Sequence, residues 1–135
     1  DLDVAGVIGA VSCTPLNSAV LAAYDAPFPD ARYKAGALVF PSLIPTHTEM
    51  AGAAENRRTW AFLSHWQKPF VTAFSDSDPA TAAWAPVFQR RIPGAQGREH
   101  PVIPGAGHFL QEERGAALAA VVADTVNALP SAAPG

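Results

Sequence analysis

The amino-acid sequence predicts an α/β fold, in which parallel strands alternate with helices. Two apolar runs have the length of buried strands, KPFVTAFS (68–75) and the weaker REHPVIPG (98–105). Helical patterns precede the first run, separate the two runs and follow the second, and this alternation is typical of a parallel sheet with crossover helices. Because two strands are few for such a sheet, we expect further strands N-terminal to residue 1 and an exposed sheet edge.

The helices are predicted from caps, breakers and apolar spacing. Thr14 and Asp30 are the predicted N-caps of two short helices in a Pro-rich region that ends near residue 48. The pattern then becomes regular, with helices predicted over 49–66 and over 79–91, the latter starting at Pro79. A last helix carries apolar side chains at 3.6-residue spacing, namely Leu118, Val121, Val122, Val126 and Leu129.

Composition excludes several classes of protein. Of the 135 residues 49% are hydrophobic and 16% are charged, which is far from the composition of disordered chains. A net charge of −3 without long runs of Lys or Arg argues against nucleic-acid and membrane-surface partners. Cys13 is the single cysteine, and no apolar run has the length of a membrane span, so we expect a cytoplasmic domain without disulfides.

Acidic side chains and a histidine follow the two predicted strands. SDSDP brings Asp76 and Asp78 directly after the first strand, and GAGH brings His108 directly after the second. Since the C-terminal ends of parallel strands meet at one edge of a sheet, a carboxylate there can hold the imidazole of a general base. Strand parity does not choose between Asp76 and Asp78, although Pro79 favours Asp78 by leaving it in the loop at a helix start. The alternative is that Asp78 only caps that helix and that His108 is structural.

The other candidates are weaker. Cys13 lacks the glycine-flanked turn of a nucleophile, and no GxSxG motif is present. Glu112 and Glu113 are interpreted as acidic residues that offset a helix dipole. Three histidines lack the spacing of a zinc site, namely His47, His65 and His100. The residues therefore predict no metal and no cofactor.

Five phrases in order resemble the C-terminal part of the haloalkane dehalogenases and cover roughly residues 20 to 126. They are AAYDAPFPDARYKAGA (22–37), FPSLIPT (40–46), KPFVTAFSDSDP (68–79), VFQRRIPGAQG (87–97) and GAGHFLQEE (105–113). The resemblance implies the last two parallel strands and flanking helices of an α/β-hydrolase fold. It further implies that residues 1–48 are the end of a helical cap domain and that residues 49–135 belong to the core domain.

The resemblance also implies roles for residues. Asp78 falls on the family's catalytic acid and His108 on its base, while Phe40, Pro41 and Phe109 resemble residues that line the substrate pocket. The implied enzyme is a hydrolase that binds a haloalkane and water, releases halide, and passes through an alkyl ester on an aspartate. The family's nucleophile and its halide-holding Trp residues are expected N-terminal to residue 1, so we expect this chain alone to be inactive.

Two other interpretations stay open. An epoxide hydrolase shares the acid and base but uses cap tyrosines to open its substrate, and Tyr24 and Tyr33 lie in the cap-like region. A non-catalytic interaction domain would keep the phrases for packing alone. An interaction domain of this kind should fold as a monomer, whereas a fragment is expected to associate through its exposed sheet edge.

Overall fold

The computed structural model describes residues 2–129. Residue 1 of the predicted cap domain and residues 130–135 of the predicted core domain lie outside the described part. The chain forms two compact units. One consists of residues 2–10 and 15–65, and the other of residues 11–14 and 66–129. The assignment of the two parts to a cap domain and a core domain stays a prediction.

The first unit is helical in its described residues. It contains α1 (Val4–Ala10), α2 (Ser18–Asp25), a 3-10 helix (Ala31–Lys34), α3 (Ala35–Val39), a second 3-10 helix (Phe40–Leu43) and α4 (Ala53–Leu63).

Local hydrogen bonds set the helix starts in the first unit. The predicted start at Thr14 is wrong, because the side chain of Asn17 accepts the backbone N–H of Val20 and α2 begins after it. The predicted cap at Asp30 is confirmed, with its carboxylate accepting the backbone N–H of Arg32 at 2.9 Å. The helix predicted over 49–66 is confirmed in a shorter form, since Gly52, at a φ of 83°, precedes α4.

The second unit contains the strands. In chain order its elements are β1 (Phe74–Ser75), a 3-10 helix (Ala82–Trp84), α5 (Ala85–Arg91), a 3-10 helix (Pro93–Ala95), β2 (Val102–Ile103), α6 (Leu110–Glu113) and α7 (Gly115–Asn127). The two strands pair in parallel, with Phe74 opposite Val102 and Ser75 opposite Ile103. The predicted α/β class, with two parallel strands and flanking helices, is confirmed.

Both strands are shorter than the eight-residue runs that predicted them. Before β1, the backbone N–H of Phe70 donates to the carbonyl of Gly94, and that of Thr72 donates to Nδ1 of His100. These donors are satisfied by a turn and by a side chain, so the ladder between the strands is limited to two residues.

The core of the second unit lies directly before and after the histidine loop. Ile103, Ala106 and Leu110 are buried together, and Leu118 and Val121 of α7 pack against them. The predicted apolar stripe of α7 is confirmed only in part, because Leu118 and Val121 pack inward whereas Val122, Val126 and Leu129 are exposed at 55%, 58% and 41%. The loop that carries His108 therefore stands on packed side chains between β2 and α6.

Candidate active site

Parallel pairing brings the two strand ends together. Beyond β1, the backbone N–H of Asp76 donates to the carbonyl of Ile103 at 3.2 Å, and that of Ser77 donates to the carbonyl of Ala106 at 3.3 Å. The chain segments that follow β1 and β2 thus leave the sheet side by side. This places SDSDP and GAGH next to each other, as the topology of a parallel pair requires.

Asp78 and His108 form a hydrogen bond across these two loops. The distance from His108 Nδ1 to Asp78 Oδ1 is 2.9 Å. The Asp78 side chain is 5% exposed and that of His108 is 33% exposed. Because an ionised carboxylate only accepts, Nδ1 carries the proton and donates it. In the neutral form of such a ring the other nitrogen, Nε2, bears the lone pair, which is the arrangement of a general base.

The Asp78 carboxylate is held by the turn that follows it. Its Oδ1 accepts the backbone N–H groups of Ala80 at 2.8 Å and Thr81 at 3.1 Å, and its Oδ2 accepts the Thr81 hydroxyl. Burial raises the pKa of Asp78, but the hydrogen bonds from Thr81, Ala80 and His108 outweigh it and lower the pKa to about 2. At neutral pH this group is an oriented anion.

The same turn corrects one helix prediction. The helix expected to start at Pro79 begins later, with the 3-10 helix Ala82–Trp84, because Asp78 draws the N–H groups of Ala80 and Thr81 into a turn around its carboxylate. Thr81 was not singled out from the sequence. An Asp followed three residues later by Thr in a turn-forming stretch is the signal that could have indicated it.

Asp76 has a different set of contacts. Its Oδ1 accepts the backbone N–H of Gly105 at 3.0 Å and the Ser77 hydroxyl at 3.1 Å. The Gly105 N–H is the main cause of a lowered pKa of Asp76. Gly105 itself has a φ of 72°, which favours glycine. Asp76 therefore joins the two strand ends, while Asp78 contacts the histidine.

The three predicted pocket residues lie in different surroundings. The Phe109 ring meets the His108 ring edge-on, with centroids 5.2 Å apart and planes at 74°. Phe40 and Pro41 lie in the 3-10 helix Phe40–Leu43 of the first unit, where Phe40 is 69% exposed. The roles of all three in binding stay predictions.

The remaining candidates have structural contacts or lie at the surface. His100 accepts the N–H of Thr72 through Nδ1, and its Nε2 lies 2.9 Å from the carbonyl of Ala95. Cys13 is exposed. Within residues 2–129 no group of three His, Cys, Asp or Glu side chains could hold a metal ion. Over the same residues no helix is both long and apolar enough to cross a bilayer.

The fold and the site are consistent with one class of protein. Two parallel strands with flanking helices, and an acid–histidine contact at the strand ends, are consistent with the last part of an α/β hydrolase.

Comparison with known proteins finds relatives among the haloalkane dehalogenases. The chain is 44% identical over 127 residues to a haloalkane dehalogenase of Psychrobacter cryohalolentis, an alignment that covers 94% of this chain and 42% of the relative. It is 44% identical over 104 residues to a haloalkane dehalogenase of Mycolicibacterium paratuberculosis, covering 77% of this chain and 34% of that protein. For a haloalkane dehalogenase of Mycobacterium marinum the identity is 41% over 113 residues, with 84% and 38% covered. No protein-family model matches the chain.

The chain is therefore related to the haloalkane dehalogenases over most of its length, as its phrases predicted. It spans less than half the length of the relatives it matches.

Proposed function

We propose that this chain carries the water-activating part of a haloalkane dehalogenase active site. His108 is the general base, and Asp78 is the acid that orients it. The 2.9 Å hydrogen bond from Nδ1 to Oδ1 carries the proposal, because it leaves Nε2 as the basic nitrogen of a partly exposed imidazole. Three relatives that are haloalkane dehalogenases support the reaction class.

The proposed step is the hydrolysis of an alkyl ester formed on an aspartate. His108 Nε2 takes a proton from water while the water oxygen attacks the ester carbonyl carbon. The acyl carbon–oxygen bond breaks, and the alkoxide takes the proton from the imidazolium and leaves as alcohol. The carboxylic acid that remains releases its proton to water, which regenerates the carboxylate. Asp78 stabilises the imidazolium in between, because its low pKa keeps it negatively charged.

The preceding displacement requires groups that the resemblance does not assign to these 135 residues. A carboxylate must attack the halogen-bearing carbon, and N–H donors must receive the halide. We therefore propose that the chain alone releases no halide. Phe109, together with Phe40 and Pro41, is proposed to line the apolar side of the substrate site. The edge-on contact between Phe109 and His108 supports the first of these assignments.

A chimaera tests the proposal. The residues of the Psychrobacter relative that align with this chain are replaced by those of this chain, and halide release from a chloroalkane is measured with time. We expect turnover in the chimaera and a single equivalent of halide, followed by arrest, after His108→Gln, since the ester forms but is not hydrolysed. His65→Gln, which changes a histidine of the first unit two residues after α4, serves as the control and keeps turnover. Continued turnover in His108→Gln would overturn the assignment.

The same proposal favours dehalogenation over epoxide opening. The epoxide interpretation depends on tyrosines as ring-opening acids, and the three compared relatives are named haloalkane dehalogenases. Diol formation by the chimaera from an epoxide, lost on Tyr24→Phe or Tyr33→Phe, is the result that would favour the other reading.

We also propose that the sheet edge of the second unit associates with another strand. Each strand has one partner strand within residues 2–129, and Val102 of β2 is 63% exposed. Size-exclusion chromatography of the chain over a range of concentrations tests this. A shift to larger species that Val102→Lys suppresses is expected, because a charged edge resists pairing. A concentration-independent monomer would contradict it.

A further inference from the structure

Three neighbouring backbone groups of Gly107 and His108 each form a hydrogen bond with another segment of the second unit. The Ser75 hydroxyl donates to the carbonyl of Gly107 at 2.7 Å, in a buried contact. The backbone N–H of His108 donates to the carbonyl of Val11 at 2.9 Å. The third group, the N–H of Gly107, donates to Oε2 of Glu113 at 2.7 Å. The histidine loop is thus fixed by β1, by residues 11–14 and by α6.

Glu113 connects two of these three supports. Its second oxygen, Oε1, accepts the backbone N–H of Thr14 at 2.6 Å, across 99 positions of sequence. One carboxylate therefore joins residues 11–14 to the loop that carries the base. Burial raises the pKa of Glu113, but the N–H groups of Gly107, Thr14 and Cys13 outweigh it and lower the pKa, so the group is ionised at neutral pH.

Residues 11–14 pack closely against the backbone of Gly107. A Cβ atom built on Gly107 would overlap the carbonyl oxygen of Val11 and approach the backbone N of Cys13 to 3.3 Å. Glycine is needed there because the neighbour is backbone, which has no alternative rotamer. The loop therefore has no room to shift toward residues 11–14, and Glu113 forms hydrogen bonds with both segments.

We propose that Glu113 is a positioning residue for His108: by bridging Thr14 to Gly107 it fixes the backbone from which the imidazole reaches Asp78. The inference rests on the proposed function for its catalytic meaning. The bridge between Thr14 and Gly107 can be tested whether or not the proposed function holds, because it concerns only which segments hold the loop. The sequence indicated a helix-dipole role for Glu113, and the structure does place it in the first turn of α6; the contacts of its carboxylate with backbone groups outside that helix were not predicted.

Amide hydrogen exchange on the 135-residue chain tests the bridge. In Glu113→Ala we expect exchange at the Gly107 and Thr14 amides to accelerate by about tenfold or more, since both donors lose an ionised acceptor. Glu113→Gln keeps one acceptor oxygen and should accelerate exchange at one of the two amides more than at the other. Glu112→Gln removes an equal charge from the exposed neighbour on the same helix and should leave both amides protected. Equal protection of both amides in Glu113→Ala and Glu112→Gln would overturn the bridge.

A spectroscopic readout tests the effect on His108. The imidazole ¹⁵N shifts of labelled protein report which nitrogen carries the proton. We expect the Nδ1–H form in the unmodified chain and in Glu112→Gln, and a mixture of tautomers in Glu113→Ala as the contact with Asp78 is lost. An unchanged tautomer in Glu113→Ala would show that the bridge does not position the base.

The chimaera separates this inference from the proposed function. There, Glu113→Ala should slow steady-state turnover by about tenfold while the first equivalent of halide appears at an unchanged rate, because only the step that uses His108 is affected. If the chimaera shows no dehalogenation but exchange and tautomer respond as described, the proposed function fails and the positioning role stands. If turnover in Glu113→Ala equals that in Glu112→Gln, the positioning role fails and the proposed function stands.

Discussion

The two units of the chain differ in how their apolar side chains are used. In the second unit Ile92, Ile103 and Ala106 are between 0% and 4% exposed. In the first unit Phe40 and Phe62 are 69% and 63% exposed. Each unit has both kinds of side chain, since Ile8 of the first is 8% exposed and Val126 of the second is 58% exposed, but the most deeply buried apolar side chains lie in the second unit. Because burial stabilises by roughly 25 cal/mol per Å² of apolar surface, these side chains give the second unit a packed support. A base that must be held in one geometry is therefore better placed in the second unit.

Carboxylates show the same difference. In the second unit Asp78 and Glu113 bind groups that lie 30 and 99 positions away in sequence. In the first unit Asp30 and Glu55 pair with arginines two and three positions away, at the surface, and the longer contact of Asp25 with the backbone N–H of Ala5 spans 20 positions. Contacts between distant segments fix a loop, whereas contacts within one turn stabilise only that turn. The long-range carboxylate contacts of the second unit thus mark the part of the molecule that is organised around a site.

The largest expected effect comes from glycine. In the second unit a Cβ atom on Gly94 would overlap the backbone carbonyl of Lys68, so Gly94→Ala should destabilise by about 4 kcal/mol or prevent folding of this unit. In the first unit Gly36 of α3 has open space, and Gly36→Ala should stabilise by about 0.5 to 1 kcal/mol. Urea unfolding of the two variants measures the contrast. Similar free energies of unfolding for both variants would show that the second unit is not tightly packed.

Truncation of one apolar side chain gives the next effect. Ile92 is fully buried, and Ile92→Ala should cost about 2 to 4 kcal/mol through lost burial and a remaining cavity. Leu43 is 60% exposed, and Leu43→Ala should change the free energy of unfolding by less than about 0.5 kcal/mol. The denaturation midpoints of the two variants give the comparison. A Leu43→Ala cost as large as that of Ile92→Ala would mean that the first unit is packed more tightly than its exposure indicates.

The sequence predicted the α/β alternation and the neighbourhood of the site, because both depend on local patterns. Apolar runs of strand length and the turns after them locate β1 and β2, and parallel pairing then brings SDSDP beside GAGH. It left Asp76 and Asp78 undecided, since alternate residues of a strand have the same parity. The structure separates them by their partners, Gly105 for Asp76 and His108 for Asp78.

Other features depend on contacts that periodicity does not encode. The strands are short because a turn and the ring of His100 take up backbone donors before β1. Helix α1 was not predicted. Residues 11–14 belong to the second unit although most of their sequence neighbours belong to the first, and only a contact such as that between Thr14 and Glu113 reveals it. Contacts across about a hundred residues carry no local signal in one sequence.

The stability of the second unit should depend on pH in acid because of Asp78, and surface carboxylates such as Asp30 should not account for this dependence. The pKa of Asp78 is lowered from 3.8 to about 2 in the folded chain, so its contribution is complete above pH 4 and is lost as the pH falls from about 4 to 2. The loss amounts to about 2 kcal/mol. Asp78→Asn is less stable at neutral pH but should lack this part of the acid dependence, whereas Asp30→Asn should retain it. Urea unfolding at a series of pH values measures the slopes, and equal slopes for the unmodified chain and Asp78→Asn would contradict the expectation.

The smallest effect is expected at the ion pair of α4. Arg58 and Glu55 lie 2.7 Å apart, but their side chains are 70% and 64% exposed. Solvent screens such a pair, so Glu55→Gln should cost less than about 0.5 kcal/mol, and a double-mutant cycle with Arg58→Gln should give a coupling of about 0.3 kcal/mol that falls with added salt. A coupling above about 1 kcal/mol would mean that exposed charges hold the first unit as firmly as buried contacts hold the second. The contrast between the two units would then fail, because exposed carboxylates of the first unit would stabilise it as much as the carboxylates of the second unit stabilise theirs.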